Sequence, residues 1–340
     1  MHPISFGSDN HSGAHPLILK AIEAANQGYW HGYGEEAYTE AVQDKVAALF
    51  GKNATALFLM TGTGANVLAL QSLIKSYEAI FCAETAHINM HEAGAVQKFT
   101  QSRLIVIKTP DGKLTPELIA PNISLMADQH MSQPRIISIS QATEYGTIYS
   151  LAEIKALADY AHANKLLLHI DGARLANAAV SLNCSLEAMT TACGVDIVSF
   201  GATKNGCLFG EALVFLNQPA AAKDAVYYRK QLTQLLSKMR YITAQMEAYI
   251  QNDLWKQNAQ NANDMAQYFA ARLSEIKSVT ITQPVTVNAV FAILPKDIIP
   301  ALQEKYHFYL WNEHRYEVRL MCSWNTTKEM IDEFIKDVLL

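Results

Sequence analysis

The chain has 340 residues, half of them hydrophobic, which is enough apolar material for a large buried core and enough length for two domains. Its net charge of -5 and charged fraction of 17% give no basic stripe, which argues against nucleic acid or an anionic membrane as the main partner. The first twenty residues lack the apolar core of a signal peptide, and no window is long and apolar enough for a membrane span, so we expect a cytoplasmic protein.

The cysteines are odd in number and show no C-x-x-C spacing. They are Cys82, Cys184, Cys193, Cys207 and Cys322. We interpret them as reduced thiols of a cytosolic protein, with no disulfide framework and no metal site.

The chain begins with an irregular arm, rich in glycine and histidine, that contains Ser8-Asp9-Asn10. A helical pattern follows over residues 15–26, and an amphipathic helix is predicted over residues 36–50. Between these helices Tyr33-Gly34-Glu35 lies in a loop. The arm by itself is compatible with a disordered terminus.

A short apolar strand over residues 56–60 runs into the turn Thr61-Gly62-Thr63-Gly64, and a helix is predicted over residues 67–76. A strand, a glycine turn and a helix N-terminus together offer unpaired N–H groups and a positive dipole end, which suit a phosphate. Neither G-x-G-x-x-G nor a Walker lysine is present, which favours a compact phosphate over a nucleotide. We predict that Gly62, Thr63 and Gly64 bind this phosphate, with a plain connecting turn as the alternative.

Strand patterns alternate with helical patterns through the middle of the chain. Strands are predicted over residues 80–82, 104–107, 135–140, 166–171, 196–200 and 213–215, with helices over residues 115–124 and 151–164. Such alternation predicts an α/β domain whose sheet is mainly parallel and lies between helices.

Two of these strands end in residues with distinctive chemistry. Asp171 stands at the carboxyl end of one strand, where ligands bind in open α/β sheets, and Lys204 follows the next strand. A buried lysine is costly, and its neutral amine is a nucleophile for carbonyls, as in the Schiff base with pyridoxal phosphate. A carboxylate nearby can keep the pyridinium nitrogen of that cofactor protonated. We predict a pyridoxal phosphate site; the alternatives are a helix-capping Asp171 and a solvated Lys204.

The last third of the chain changes character. Residues 223–250 are predicted to form one long helical run that carries several basic residues. From about residue 253 the pattern becomes α+β, with helices over 261–276, 298–306 and 328–339 and strands over 279–283, 289–294 and 317–321. We predict a large cofactor-binding domain over residues 1–250, including the arm, and a small C-terminal α+β domain over residues 251–340.

The motifs H-I-D-G-A-R-L-A-N-A (residues 169–178) and S-F-G-A-T-K-N-G (residues 199–206) resemble those of the low-specificity L-threonine aldolase family. The similarity extends from Ser8 to Trp324. The resemblance implies the aspartate-aminotransferase-like fold (PLP fold type I) and cleavage of L-threonine or L-allo-threonine to glycine and acetaldehyde. It also implies a homo-oligomer, a dimer or tetramer, with sites at the subunit interface.

The same resemblance implies roles for individual residues. His87 would stack on the cofactor ring, and Arg319 would be the principal clamp for the substrate carboxylate. Ser8 and Arg174 would assist at the substrate carboxylate, and Arg174 would also lie near the cofactor. Arg229 and Lys230 would approach the phosphate across a subunit boundary.

The sequence does not decide which residue contacts the substrate hydroxyl. The turn over residues 143–147 lacks the histidine that much of the family has there. His130, ahead of the strand, is the nearest candidate, and Thr143 and Glu144 are the fallback. The base would be His130, His87 or a water held by either.

Other functions also stay open. The alternatives are another pyridoxal-phosphate-dependent lyase, racemase or aminotransferase, or a catalytically silent cofactor-binding protein. The sequence does not distinguish threonine from allo-threonine as the preferred substrate.

Overall fold

The computed structural model describes residues 4–125 and 127–339, and within them two sheets and a short strand pair account for the strands. The strands are β1 Ile4–Ser5, β2 Thr55–Leu59, β3 Glu78–Ala83, β4 Arg103–Ile107, β5 Gln133–Ser140, β6 Leu167–Gly172, β7 Ile197–Gly201, β8 Glu211–Phe215, β9 Thr280–Ile281, β10 Ala289–Ile293, β11 Tyr306–His307, β12 Tyr309–Asn312 and β13 Glu317–Met321. The helices are α1 Pro16–Ala25, α2 Ala37–Ala48, α3 Gly62–Gln71, α4 His87–Met90, α5 Ala95–Thr100, α6 Pro116–Ile119, α7 Leu151–Ala163, α8 Leu175–Ser181, α9 Leu186–Met189, α10 Pro219–Gln231, α11 Arg240–Ile250, α12 Leu254–Ser274, α13 Ile299–Lys305 and α14 Lys328–Val338. None of these helices has the length and apolar character needed to cross a membrane.

The central sheet is mainly parallel, as predicted. Its strand order is β2-β8-β7-β6-β5-β3-β4, and only β8 runs against its neighbours. The carboxyl ends of β2, β5, β6 and β7 therefore meet at one edge of the sheet, where ligands bind in open α/β folds. The residues that follow these four strands are brought together although they are far apart in the sequence.

Helices cover both faces of this sheet, so its inner strands are buried throughout. Ile136 and Ile137 show the arrangement, because they are adjacent in β5 yet pack into different apolar clusters on opposite faces. This double burial explains the nearly continuous apolar strands in the sequence. It also makes the sheet a rigid support for the loops at its edge.

A third apolar cluster lies under the antiparallel sheet β12-β13-β10-β9. Phe269 and Phe334 belong to it, and so does Phe6 of the arm, because β1 pairs in parallel with β11. The arm was predicted within the large domain; Phe6 packs with the C-terminal residues, whereas Asp9 pairs with Arg174 of the large domain. Helix α12 contributes Leu273 to this cluster and Leu254 to one of the two clusters on the central sheet. The boundary at residue 250 stays a prediction.

Several predicted helices differ from the structure; α12, for example, begins at Leu254 rather than at residue 261. The prediction of one helix over residues 223–250 is wrong: α10 ends at Gln231, and Thr233 has a positive φ of 59°, which breaks the helical path. Helix α3 begins at Gly62 rather than at residue 67, so the glycine turn is the first turn of the helix itself. The short strands β1, β11 and β12 were not predicted, because strands of two to four residues leave little periodicity.

Phe334→Ala should lower the free energy of unfolding by about 3–5 kcal/mol, because it leaves a cavity among well-packed rings. Phe334 is fully buried, with ring centroids 5.5 Å from Phe6 and 5.2 Å from Phe269. Urea denaturation measures the effect. Leu339→Ala, 65% exposed just beyond the same helix, is the control and should change stability by about 0.5 kcal/mol or less. Equal losses in the two variants would contradict this description of the core.

Candidate active site

Asp171 lies buried at the carboxyl end of β6 and is well supplied with hydrogen-bond donors. Its Oδ2 accepts from Asn66 Nδ2 at 2.8 Å, and its Oδ1 accepts from the Ala173 N–H at 3.0 Å. Burial alone would raise the pKa of Asp171, but His87, Lys204 and these donors together hold the pKa below its usual value. The carboxyl group is therefore an anion at neutral pH.

Lys204 lies in a tight turn just after β7. The turn is firmly held, since Asn205 Nδ2 donates to Tyr249 Oη and to the Trp255 carbonyl, both at 2.8 Å. Gly201 allows the close approach to the neighbouring strand end, because a Cβ there would lie 2.8 Å from the Ala173 backbone. Burial lowers the pKa of Lys204, and Arg174 lowers it further, although nearby carboxylates oppose the change. The amine therefore loses its proton to become a nucleophile more readily than a solvated lysine does.

A buried polar network joins Asp171 to His87. Asn66 Nδ2 donates to Asp171 Oδ2 and also to Glu92 Oε1, at 2.8 Å each, and His87 Nδ1 lies 2.8 Å from the same Glu92 oxygen. Burial raises the pKa of Glu92, and the nearby Asp171 adds to this effect. With Nδ1 of His87 engaged, Nε2 is the ring nitrogen left to face the cavity.

Glu144 follows β5 and faces the same space. Its Oε1 accepts from the His87 N–H at 3.0 Å and from Ser140 Oγ at 3.1 Å. Burial, reinforced by the charge of Asp171, raises the pKa of Glu144 to about 7. Thr143 instead turns inward, and its hydroxyl is 2.7 Å from that of Thr147. Of the two fallback residues, the structure brings only Glu144 to the cavity wall.

The N-terminus of α3 borders the cavity on the other side. Thr61 caps the helix by accepting the Gly64 N–H at 3.1 Å, while Gly62 and Thr63 line a cavity of about 350 Å³ together with Lys204. Gly64 packs beneath Gln234, where a Cβ would lie 2.4 Å from the side chain. The N–H groups of a first helical turn have no intrahelical acceptors, so this end can receive an anion.

Arg319 and Arg174 project into a larger cavity of about 660 Å³, which Ser8 and Lys204 also line. Arg174 donates two hydrogen bonds to the Asp9 carboxylate, from Nε at 2.8 Å and from Nη2 at 2.9 Å. The Arg319 guanidinium lies 5.1 Å from the Trp311 ring centroid, and its Nη2 donates to the Gly7 carbonyl at 3.3 Å. Its Nε has no hydrogen-bond partner among the described residues. Burial, with Arg174 nearby, lowers the pKa of Arg319 to about 10, so this cation is short of negative charge.

The residues at this edge fit pyridoxal phosphate. His87 and Lys204 line both large cavities and the small space of about 50 Å³ next to Asp171. A nucleophilic amine, an anionic carboxylate and a helix N-terminus are the three groups that its aldehyde, its ring nitrogen and its phosphate require. The atoms of His87, Glu92 and Asp171 also lie within 4.8 Å of one another, close enough for a metal ion, but their hydrogen bonds already account for this spacing.

Five predicted residues do not line these cavities within one chain: Gly64 and Thr143, described above, and His130, Arg229 and Lys230. His130 lies in an exposed turn before β5, at the opposite edge of the sheet from Lys204. Arg229 is buried behind β2, where its Nη1 donates to the Phe58 carbonyl at 3.1 Å, and burial lowers its pKa to about 10. Lys230 lies 4.5 Å from the centroid of the Tyr33 ring.

Sequence reasoning gave no role to Asp9, Asn66 or Asn288, which the structure places around the site. A signal was available for Asn66, because it is a polar residue in an otherwise apolar stretch of α3. Asp9 and Asn288 could not be linked, since 279 positions separate them along the chain.

Glu144→Gln should stabilise the protein without cofactor at pH 8 by on the order of 1–3 kcal/mol, and much less at pH 5. The pKa of Glu144 is 4.5 in the unfolded chain and about 7 in the folded chain. Between these two pH values, the folded chain keeps a proton on Glu144 that the unfolded chain has released. Stability from this group therefore falls as pH rises through that window. Urea denaturation at both pH values measures the effect, with exposed Glu40→Gln as the control. Equal stabilisation at both pH values would contradict the raised pKa.

Known proteins resemble this chain over most or all of its length. A family model described as beta-eliminating lyase matches residues 5–296. The chain is 38% identical over 341 residues to the low specificity L-threonine aldolase of Pseudomonas aeruginosa, covering 100% of this chain and 98% of the relative. It is 37% identical to the enzyme of the same name from a Pseudomonas species, covering 98% and 96%. A solved threonine aldolase structure from Leishmania major matches with a TM-score of 0.93 and 29% identity, covering 99% of each chain.

Proposed function

This chain belongs to the beta-eliminating lyase family, and on that premise we propose that it is a pyridoxal-phosphate-dependent aldehyde-lyase. It cleaves L-threonine, and related β-hydroxy amino acids, to glycine and an aldehyde, which for threonine is acetaldehyde. The relatives that match its full length are named for threonine cleavage. The observation that carries the proposal is the half-buried amine of Lys204 beside the anionic Asp171, in a cavity shared with Arg319.

Four groups of this chain would hold the cofactor. Lys204 supplies the amine for covalent attachment, Asp171 keeps a ring nitrogen protonated, and the N–H groups of Gly62 and Thr63 receive the phosphate. His87, held by Glu92, presents its ring to the same space. Bound pyridoxal phosphate would supply an aldehyde that links to amino groups and a ring that accepts the electron pair released when a bond at Cα breaks.

Arg319 binds the substrate carboxylate. Its unpaired Nε and its lowered pKa indicate a buried cation without a counter-ion, and a carboxylate supplies one with bidentate geometry. Tyr309 and Trp311, with ring centroids 5.7 and 5.1 Å from the guanidinium, restrict its orientation. Ser8 lines the same cavity and can add a hydroxyl donor. Fixing the carboxylate fixes which bond at Cα is aligned for cleavage.

Glu144 takes the proton of the substrate hydroxyl. As the O–H proton leaves, the Cα–Cβ bond breaks and the Cβ–O bond becomes the aldehyde carbonyl, and Cα is then protonated to give glycine. A pKa of about 7 suits a group that must accept and release a proton near neutrality. His87 is the other predicted base that reaches the cavity, through Nε2.

The assembly and the compartment are part of the same proposal. We propose a cytoplasmic homo-oligomer in which the exposed Lys230 serves the phosphate site of a neighbouring subunit, whereas Arg229 is buried within its own subunit and is not assigned to that site. The exposed aromatic side chains of Tyr29, Trp30 and Tyr33 support this assembly, because a segment of this kind is typical of a subunit contact.

Lys204→Ala should abolish both cofactor attachment and threonine cleavage. Wild-type protein reconstituted with pyridoxal phosphate should be yellow, should be labelled covalently on borohydride reduction and should release acetaldehyde from threonine. Lys155→Ala, a change of an exposed lysine, should behave as wild type. Colourless wild-type protein would contradict the cofactor, and release of an α-keto acid in place of acetaldehyde would identify an aminotransferase.

Glu144→Gln should lower kcat for threonine by about 10²-fold or more, since it removes a general base. The wild-type pH profile of kcat/KM should fall below pH 7 as Glu144 becomes protonated, and this limb should vanish in the variant. His87→Asn is the comparison, with cofactor occupancy measured in both variants. If the limb persists in Glu144→Gln and is lost in His87→Asn, the base is His87.

A further inference from the structure

Asp9 makes a connection that the chemistry proposed above does not use. Its carboxylate receives two hydrogen bonds from one guanidinium, from Arg174 Nε at 2.8 Å and from Arg174 Nη2 at 2.9 Å. Asn288 Nδ2 donates to the same carboxylate at 3.1 Å. Asp9 is 1% exposed, so this is a buried bidentate ion pair and not a surface contact.

The three residues come from three separate parts of the molecule. Asp9 belongs to the N-terminal arm, Arg174 follows the strand that ends in Asp171, and Asn288 directly precedes β10 of the C-terminal sheet. Asn288 is itself fixed by a second hydrogen bond, to the Cys322 carbonyl at 2.8 Å. The carboxylate of Asp9 therefore joins the arm at one point to residues that adjoin both sheets.

The neighbours of Asp9 in the sequence face the active-site space. Ser8 lines the cavity of about 660 Å³, and Asn10 lines both this cavity and the adjoining one of about 350 Å³. Asp9 points away from solvent between two residues that point into the cavities. The position of both residues thus depends on where Asp9 is held.

We propose that Asp9 is a positioning residue for substrate binding: its ion pair with Arg174 holds Ser8, Asn10 and the Arg174 guanidinium in place at the cavity wall. This inference extends the proposed function, and the part of its test that measures KM and kcat rests on that function. Asp9 occupies two of the three guanidinium nitrogens of Arg174, so only Nη1 is left for a ligand. Arg319, in contrast, gives one long hydrogen bond to a backbone carbonyl and has an unpaired Nε.

The charge of Asp9 is as important as its shape. Burial alone would raise the pKa of Asp9, but Arg174 and Lys204 lower it below its usual value, so the group is a permanent anion at neutral pH. Without this anion, neither the Arg174 guanidinium nor the arm would be fixed at the cavity that Arg319 also lines. A substrate carboxylate would then meet misplaced binding groups, so substrate binding would weaken.

The test compares Asp9→Asn, which keeps the shape and removes the charge, with Asp9→Glu, which keeps the charge. In Asp9→Asn we expect KM for threonine to rise roughly tenfold or more while kcat stays within about threefold, because substrate placement is affected more than bond breaking. In Asp9→Glu the rise should be smaller. Hydrogen exchange of the arm, residues 4–15, measured on both variants without cofactor, should be faster in Asp9→Asn than in wild type and intermediate in Asp9→Glu.

Ser12→Ala is the matched control within the arm. It removes the hydrogen bond from Ser12 Oγ to the Asp9 carbonyl, 2.9 Å long, and leaves the ion pair intact, so both KM and exchange should stay at wild-type values. A wild-type KM in Asp9→Asn, or unchanged arm exchange in that variant, would overturn the proposal. If the wild-type enzyme itself releases no acetaldehyde, the proposed function fails, and the exchange experiment still decides whether Asp9 holds the arm.

Discussion

A half-buried amine surrounded by charged groups is the feature on which the rest of this structure depends. Lys204 lies next to Arg174, which lowers its pKa, and next to Asp9, Asp171 and Glu211, which oppose that effect. Each of these groups would be costly to bury alone, because an unpaired charge loses its hydration. Together with the Asn66 amide and the strand-end N–H groups they form a set in which the lysine can be neutral and the aspartates ionised.

The sheet makes this set possible. Parallel strands β5, β6 and β7 bring Glu144, Asp171 and Lys204 to one edge, and the apolar helices on both faces keep that edge in place. The C-terminal sheet supplies Arg319 from the other side, and the arm closes the space between them through Asp9. The site is thus assembled from segments that share few local contacts, which is why its geometry depends on the packing of the apolar clusters of both sheets.

The sequence was sufficient for the features that follow from local pattern. Alternating apolar strands and helices predicted the mainly parallel sheet, and chemistry at strand ends singled out Asp171 and Lys204 before any geometry was known. It failed where the deciding contact is distant in the chain. Nothing local marks Asp9 as the partner of Arg174, and His130 was chosen by its position along the chain although it lies at the far edge of the sheet. The break between α10 and α11 was missed because helical periodicity continues on both sides of it.

The most direct test of the central claim is the pKa of Lys204 in the protein without cofactor. Acetylation over a pH series, quantified by mass spectrometry of the peptide that contains residue 204, measures how readily this amine loses its proton. We expect the midpoint to lie below the ordinary lysine value of 10.5, because burial and Arg174 disfavour the charged form. A midpoint at or above that value would contradict the account of a nucleophilic amine held at the end of β7.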